Sequence, residues 1–350
     1  MKQRSVNLDL IRCCAVWCVL SVHFFLNNGF YYEQIIMGTR AYIMILMRSF
    51  FMICVPLFLL LTGYLMGSKK LSRQYYFSEN IIRIIFVYYV SSAVYVFASR
   101  YIFHEDIGLK KNIFNIIGVK SVGYGWYVEM YIGLYLLIPF LNILYQGLKT
   151  KWEKQCLIVV LLICTTFPSL FSVIDWNIAS WWTSLYPITY YYIGVYIKEY
   201  GLHLTVRRNI IVLGLCVILF GTLNYYKGYA SLFEWTAYND WYSFENIINS
   251  VLVFLLLLHI KTDFLPCCVK EGIGKISELS FGIYLLSGIS DKLIYPILKK
   301  NIVSMPKRLE WYIVVVPISF LIATMFSYVV NGVYKITGHR LYLKVLNKIE

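Results

Sequence analysis

Long apolar runs dominate this chain, and they do not alternate with polar positions. Ser49 to Met66 and Trp311 to Val330 contain no charged residue. Each run is close to the roughly 20 residues that an α-helix needs to cross a bilayer core. Without period-2 alternation, a transmembrane β-barrel is excluded. The pattern predicts ten spans, at 7–27, 44–66, 80–102, 125–145, 155–174, 183–198, 209–226, 243–260, 278–298 and 311–334. The sixth and eighth are Tyr-rich, Trp-flanked and not uniformly apolar. The expected fold class is therefore all-α: a polytopic membrane helix bundle of about ten transmembrane helices. The hydrophilic stretches between spans are short, so residues 1–350 are expected to form one membrane domain with short loops and tails.

Composition agrees with that pattern. Hydrophobic residues make up 59% of the chain and charged residues 14%, where a soluble domain carries about 25% charged. Ten spans place both termini on one side, and the positive-inside rule decides which. With the N-terminus inside, Lys and Arg are concentrated in the cytoplasmic segments (Arg4, Lys69, Lys70, Arg73, Lys149, Arg207 and Arg208 among them). The outer loops hold fewer, such as Arg40, Lys110, Lys111 and Lys120. The expectation is a multi-pass protein of the cytoplasmic (plasma) membrane with both termini in the cytoplasm. The net charge of +14 then reflects short loops facing anionic lipid headgroups rather than nucleic acid. Trp181, Trp182, Trp235 and Trp241 fall near outer span ends, as an interfacial belt would. Tyr190 to Tyr192 fit either a belt, which is favoured, or a cavity lining. None of the nine cysteines falls in an outer loop, which argues against disulfides. Cys267-Cys268 lacks the spacing and histidines of a zinc site, and no metal is expected. Arg12 interrupts the first span and no small-residue cleavage site follows, so that span is not a cleaved signal peptide.

Charged groups inside the spans change the picture most. Arg12 and His23 are eleven residues apart, about three turns, so they share one helix face roughly 16 Å apart along its axis. A charge in mid-bilayer costs on the order of 2.5–3.5 kcal/mol and normally faces a bundle interior or a wet cavity. Asp9 lies at i−3 from Arg12 and can pair with it, so Arg12 reads as a structural ion pair or as part of a site. His23 reads as a satisfied interior histidine or as a proton-transfer group. Arg48 and Arg83 either snorkel toward lipid phosphate or face inward. Glu129 follows Gly125-Trp126-Tyr127 and is expected to face inward with a polar partner. Asp291-Lys292 is expected to pair internally or with water near an outer end. Ser280, Ser287 and Ser290 occupy no nucleophile elbow, and there is no phosphate-binding glycine loop.

These residues fall into a recognisable order. Leu8-Asp9-Leu10-Ile11 followed by Arg12, ten residues and His23 resembles the opening of the acyltransferase 3 family of integral membrane acyltransferases. Arg48 with Val55-Pro56-Leu57-Phe58 and Thr62-Gly63-Tyr64-Leu65 is similar to that family's second segment, with Thr62 where serine is usual. Gly125-Trp126-Tyr127 to Gly133-Leu134-Tyr135 and Pro139 is similar to the third. Leu279-Ser280-Phe281-Gly282-Ile283-Tyr284-Leu285 is similar to the fourth. One departure is that Leu286-Ser287 follows, where many members place a histidine.

The resemblance implies a ten-helix enzyme that moves an acyl group, acetyl in the first instance, from cytoplasmic acyl-CoA to a hydroxyl of a cell-surface or cell-wall glycan or glycolipid. His23 would be the general base or acyl carrier. Arg12 would bind CoA phosphates or orient His23, and Asp9, Arg48, Arg83, Trp126 and Glu129 would bind substrate or support the site. Acyl-CoA enters as donor substrate, and no bound cofactor is expected. Some relatives carry an added esterase-like domain. This chain shows none, so it would act alone or with a separate extracytoplasmic transferase. The competing expectation is a permease for a small solute such as an amino acid. A lipid-binding structural protein is a third, and it leaves the Arg12/His23 face unexplained. Labelled acetyl-CoA separates transferase from permease, because only the transferase moves label to glycan.

Overall fold

The computed structural model describes residues 4–35, 38–68, 81–105, 107–176, 178–202 and 204–338. Among these the chain is helical and contains no strand beyond a single bridge between Gln34 and Leu232. Nine helical stretches are long and apolar enough to cross a membrane: 6–27, 39–66, 82–101, 126–147, 151–172, 206–228, 237–259, 267–301 and 305–337. Helix Tyr186–Tyr200 is shorter, with 15 residues, and packs inside the bundle as the sixth element of about ten. Its three tyrosines, Tyr190, Tyr191 and Tyr192, are at most 2% exposed. The interfacial belt favoured for them is therefore wrong. Each hydroxyl reaches a polar group of a neighbouring segment, for example Tyr191 on Asn142 Oδ1 at 2.6 Å and Tyr190 on the Trp241 carbonyl.

Several boundaries depart from the hydropathy pattern for local reasons. The second span starts earlier, at Thr39, and is two helices, α2 (Thr39–Phe51) and α3 (Cys54–Met66). Pro56 has no N–H to give the Met52 carbonyl, so the helix breaks at Met52–Ile53. The fifth span breaks before Pro168 in the same way. The ninth is longer than expected, running from Cys267 to Asn301. Leu109–Ile117 adds a short helix in a connection read as loop.

Named in chain order, the elements are α1 (Val6–Asn27), α2, α3, α4 (Ile82–Tyr101), α5 (Leu109–Ile117), α6 (Trp126–Gly147), α7 (Lys151–Thr165) and α8 (Phe167–Ser172). They continue with α9 (Tyr186–Tyr200), α10 (Val206–Gly228), α11 (Phe244–His259), α12 (Cys267–Asn301) and α13 (Tyr312–Val333). The core lies where α1, α3, α9, α11 and α12 meet. Helices α7, α10 and α13 leave large apolar side chains exposed on their outer faces, as lipid-facing helices do.

Helices α3 and α9 approach closely because each offers a glycine. A Cβ on Gly63 would collide with the Tyr191 carbonyl, and one on Gly194 with the Leu60 carbonyl. Small residues at membrane helix contacts let backbones approach in this way. Gly194→Val is expected to separate the pair at a cost of at least 1–3 kcal/mol, the usual range for overpacking. Loss of a monodisperse elution profile in detergent, with a lowered melting temperature, is the check.

The ends of the bundle are also fixed by contacts. Lys335, beyond α13, pairs with Glu278 at 2.9 Å. Glu278 adjoins Ser277, which hydrogen-bonds Asp9 near the start of α1. The last described residues therefore sit at the same end as the N-terminus. The loop expected inside at Gly67–Ser78 lies outside the described residues from Lys69 onward, with Lys69, Lys70 and Arg73.

Candidate active site

Helices α1 and α12 run parallel, and between them lie two polar clusters about three turns apart. The lower cluster lies near the N-terminal end. There Ser277 Oγ donates to Asp9 Oδ1 at 2.6 Å, and Arg4 Nε binds Asp9 Oδ2 at 2.5 Å. Arg4 also reaches the Gly274 carbonyl at 2.6 Å. The carboxylate of Asp9 holds the Arg4 guanidinium above its usual range, through this hydrogen bond first. Arg12 Nη1 makes longer contacts, 3.4 Å to Asp9 Oδ1 and 3.4 Å to Ser277 Oγ. Asp9 is thus already satisfied by two closer donors, and Arg12 is the loosely held member. Its side chain is 31% exposed.

That exposed surface faces a cavity of about 370 Å³ lined by Arg4, Arg12, Arg83, Tyr127, Tyr131, Tyr135 and Tyr284, among others. The volume is in the range of small-molecule sites. Arg83, left open between snorkelling and facing inward, is exposed and also lines the cavity, with its guanidinium 5.6 Å over the Tyr334 ring. Glu278, the acidic residue of the lining, is paired with Lys335. With Asp9 engaged by Arg4, the cavity presents the charge of Arg12 and Arg83. Three stacked or tilted tyrosines of α6 form one wall, with Tyr127–Tyr131 centroids at 5.2 Å and Tyr131–Tyr135 at 4.8 Å. Thr62, the departure noted in α3, fixes that wall through a 2.7 Å hydrogen bond with the Tyr131 hydroxyl.

The upper cluster surrounds His23, which is 4% exposed. Its Nδ1 lies 3.2 Å from Asp291 Oδ2 and 3.2 Å from Ser287 Oγ. Ser287 spends its own proton on the Tyr284 carbonyl at 2.8 Å, so toward the imidazole it accepts. Both neighbours of Nδ1 are therefore acceptors, which assigns a proton to Nδ1; in the neutral ring the lone pair then lies on Nε2. Asp291 is buried and collects further donors. The Tyr124 hydroxyl lies at 2.8 Å, Ser319 Oγ at 3.3 Å and Asn27 Nδ2 at 3.4 Å. The Tyr124 ring stacks on the imidazole with centroids 3.6 Å apart. Asn27 Nδ2 also binds the His23 carbonyl at 2.8 Å and closes the end of α1.

The cavity and the His23 cluster adjoin, but the cavity lining stops at Tyr127 and Tyr284. Tyr284 donates to the Tyr124 carbonyl and stands one turn before Ser287. Arg12 and His23 share a face of α1 as expected, yet only Arg12 lines the cavity.

The family model for an acyltransferase domain, acyltransferase 3, matches residues 5–330. The chain belongs to the acyltransferase 3 family. Comparison with curated proteins and with solved structures returned no match. As a family member the protein is a multi-pass membrane acyltransferase, and the family match covers both clusters except Arg4.

The remaining sequence candidates sit elsewhere. Arg48 lies within α2 and is 0% exposed, so it does not snorkel. Its Nε donates to the Tyr31 hydroxyl at 2.8 Å and its Nη1 to the Asn239 carbonyl at 3.0 Å. Glu129 does not face inward. It is exposed in the first turn of α6 and has no partner among the described residues. A carboxylate is favoured there by the free N–H groups of the helix start. Trp126 is 42% exposed and stacks on Trp241 rather than on His23. Asp291 does not pair with Lys292, which binds Glu105 at 2.7 Å. That contact draws the Glu105 carboxyl below its usual range.

Sequence reasoning passed over Asp291 and Tyr124 as site residues. A signal for Asp291 existed. Ser280, Tyr284, Ser287 and Asp291 are spaced i, i+4, i+7 and i+11, a polar stripe on one face of the ninth span. Tyr124 lies in a connection, where no periodicity marks it.

Proposed function

We propose that the protein transfers an acyl group, acetyl in the first instance, from cytoplasmic acyl-CoA to a hydroxyl of a cell-surface or cell-wall glycan. The observation that carries this reading is His23, buried on α1 with Asp291 and Ser287 on Nδ1 and its Nε2 left as a base. In this scheme the donor enters the cavity at the N-terminal end, taken as the cytoplasmic side on the charge distribution. Arg12 and Arg83 engage its phosphates, with planar guanidinium groups matched to phosphate oxygens. The tyrosine wall lines the thioester arm up to Tyr284. The acceptor hydroxyl approaches His23 from the opposite end.

The chemistry then needs one base. His23 Nε2 takes the proton of the acceptor hydroxyl as its oxygen attacks the thioester carbonyl. The tetrahedral intermediate collapses, the C–S bond breaks, and the leaving CoA thiolate takes the proton back from the imidazolium. Asp291 stabilises the imidazolium between the two proton transfers and holds the ring in position, the part a buried carboxylate plays beside a catalytic histidine.

The test uses the full chain in lipid nanodiscs with [14C]acetyl-CoA and a polysaccharide and glycolipid extract of the producing cell. Label is expected in an alkali-labile ester on the glycan. Label retained wholly in acetyl-CoA and its hydrolysis product would sink the reading. In the same assay Arg12→Lys is expected to raise the KM for acetyl-CoA about tenfold, because a point charge replaces a bidentate fork. An unchanged donor KM would remove Arg12 from the donor site.

A further inference from the structure

The four tryptophans that the sequence groups as a belt fall into two kinds. Trp181 and Trp182 are 88% and 61% exposed, as belt residues are. Trp235 and Trp241 are joined to Trp126 and Tyr31 in one chain of rings. Trp126 stacks on Trp241 with centroids 5.7 Å apart, Trp241 meets Trp235 edge-on at 5.4 Å, and Trp235 stacks on Tyr31 at 6.0 Å. Interfacial anchoring does not require tryptophans to stack on one another.

This chain of rings is rigidly held. The Arg48 guanidinium lies 4.9 Å from the Trp235 ring centroid and 5.7 Å from that of Tyr31. Its hydrogen bonds to Tyr31 and to the Asn239 carbonyl tie the segment after α1 to the segment before α11. Backbone bonds complete the splint, from Ile35 N to the Ser231 carbonyl and from Ala230 N to the Ile35 carbonyl. Burying an arginine with no carboxylate partner is costly, and Arg48 makes no ion pair among the described residues. Its Nη2 has no hydrogen-bond partner among the described residues. The fold accepts that cost at the one place where it fixes the aromatic segment.

The position of the rings matters as much as their rigidity. Trp126 is two residues from Tyr124, whose ring covers His23. The rings therefore start beside the base and extend away from it at the end opposite the acyl-CoA cavity. Trp126 and Trp235 stay 42% and 37% exposed. Beside Trp241 stands the half-buried Asp240, whose Oδ1 accepts the Trp241 backbone N–H at 2.6 Å and whose carboxylate also accepts a side-chain hydrogen bond from Trp235. A pyranose ring has an apolar C–H face and a rim of hydroxyls. An amphipathic indole offers area to the first at little entropic cost, and a carboxylate accepts from the second.

We infer that Trp126, Trp235 and Trp241, splinted by Arg48, form the acceptor subsite, on which a sugar ring of the glycan stacks while the neighbouring residue presents its hydroxyl to His23. This inference rests on the glycan-acyltransferase reading and names the acceptor class of that site as a pyranose.

The experiment compares full-length wild type, Trp126→Ala, Trp235→Ala, Trp235→Tyr and Trp181→Ala in nanodiscs. Each is assayed with [14C]acetyl-CoA against the polysaccharide and glycolipid extract of the producing cell, varying donor and extract separately. Trp126→Ala and Trp235→Ala are expected to raise the half-saturating extract concentration at least tenfold with the donor KM unchanged. Trp235→Tyr, which keeps an aromatic face, is expected to recover most of that loss, so a general folding defect cannot imitate the result. Trp181→Ala is expected to behave as wild type. Half-saturation within twofold of wild type for both alanine variants would overturn the platform and leave glycan acylation standing. Label passing from wild type to a lipid fraction and never to glycan would overturn the acceptor class itself, and the platform with it.

Discussion

His23→Ala is expected to abolish acyl transfer, lowering kcat by about 10²–10⁴-fold, the usual contribution of a general base. The donor KM is expected to hold, because the cavity residues Arg4, Arg12 and Arg83 make no contact with the imidazole. The protein should still insert and accumulate. The side chain sits among groups that can re-pair, since Asp291 keeps Tyr124, Asn27 and Ser319 as donors. The check is steady-state kinetics with labelled acetyl-CoA on purified protein of matched melting temperature. Near-normal kcat in His23→Ala would return His23 to the role of an interior histidine satisfied by its neighbours, and the proposed chemistry would fall.

Much of this arrangement is legible in the sequence. Span content follows from charge-free runs, because the bilayer leaves a spanning chain few options other than helix. The shared face of Arg12 and His23 follows from helical pitch alone. What the sequence could not supply was partner choice across the bundle. Asp291 stands next to Lys292, and proximity in sequence suggested that they pair. On a helix, neighbours at i and i+1 point in different directions, so Asp291 turns to α1 and Lys292 to Glu105. Glu129 failed for a related reason. Its depth was inferred from the apolar residues that follow it, whereas the helix begins only three residues earlier, at Trp126, and leaves it at an exposed end. For Arg48 the sequence leaves two alternatives open, snorkelling or facing inward, and the structure selects the second: it is fully enclosed, against rings from two segments more than 180 residues apart in sequence.

Ser287 bears on how this family member differs from many others. Where a histidine is usual, a serine hydroxyl lies 3.2 Å from His23 Nδ1. A second imidazole could donate or accept at that place. Ser287, with its proton committed to the Tyr284 carbonyl, only accepts. The tautomer of His23 is therefore set by Asp291 and Ser287 together, and Asp291 becomes the decisive partner because it also carries the charge that balances an imidazolium.

Asp291→Asn is the substitution that isolates that role. It keeps shape and volume but can present an amide N–H to His23 Nδ1. The imidazole would then shift its proton to Nε2, the atom that must accept the acceptor's proton. A fall in kcat of about 10³–10⁴-fold is expected, comparable to the cost of misassigning the tautomer in other histidine–carboxylate pairs. Asp291→Ala removes the carboxylate without supplying a donor, so Ser287 can still hold Nδ1–H, and its kcat is expected to exceed that of the asparagine variant. A purely structural carboxylate predicts the reverse order, because alanine leaves Tyr124, Asn27 and Ser319 without their common acceptor and opens a void, whereas asparagine fills it. The order of the two variants at equal melting temperature decides between a positioning residue for His23 and a packing residue of the α12–α13 contact.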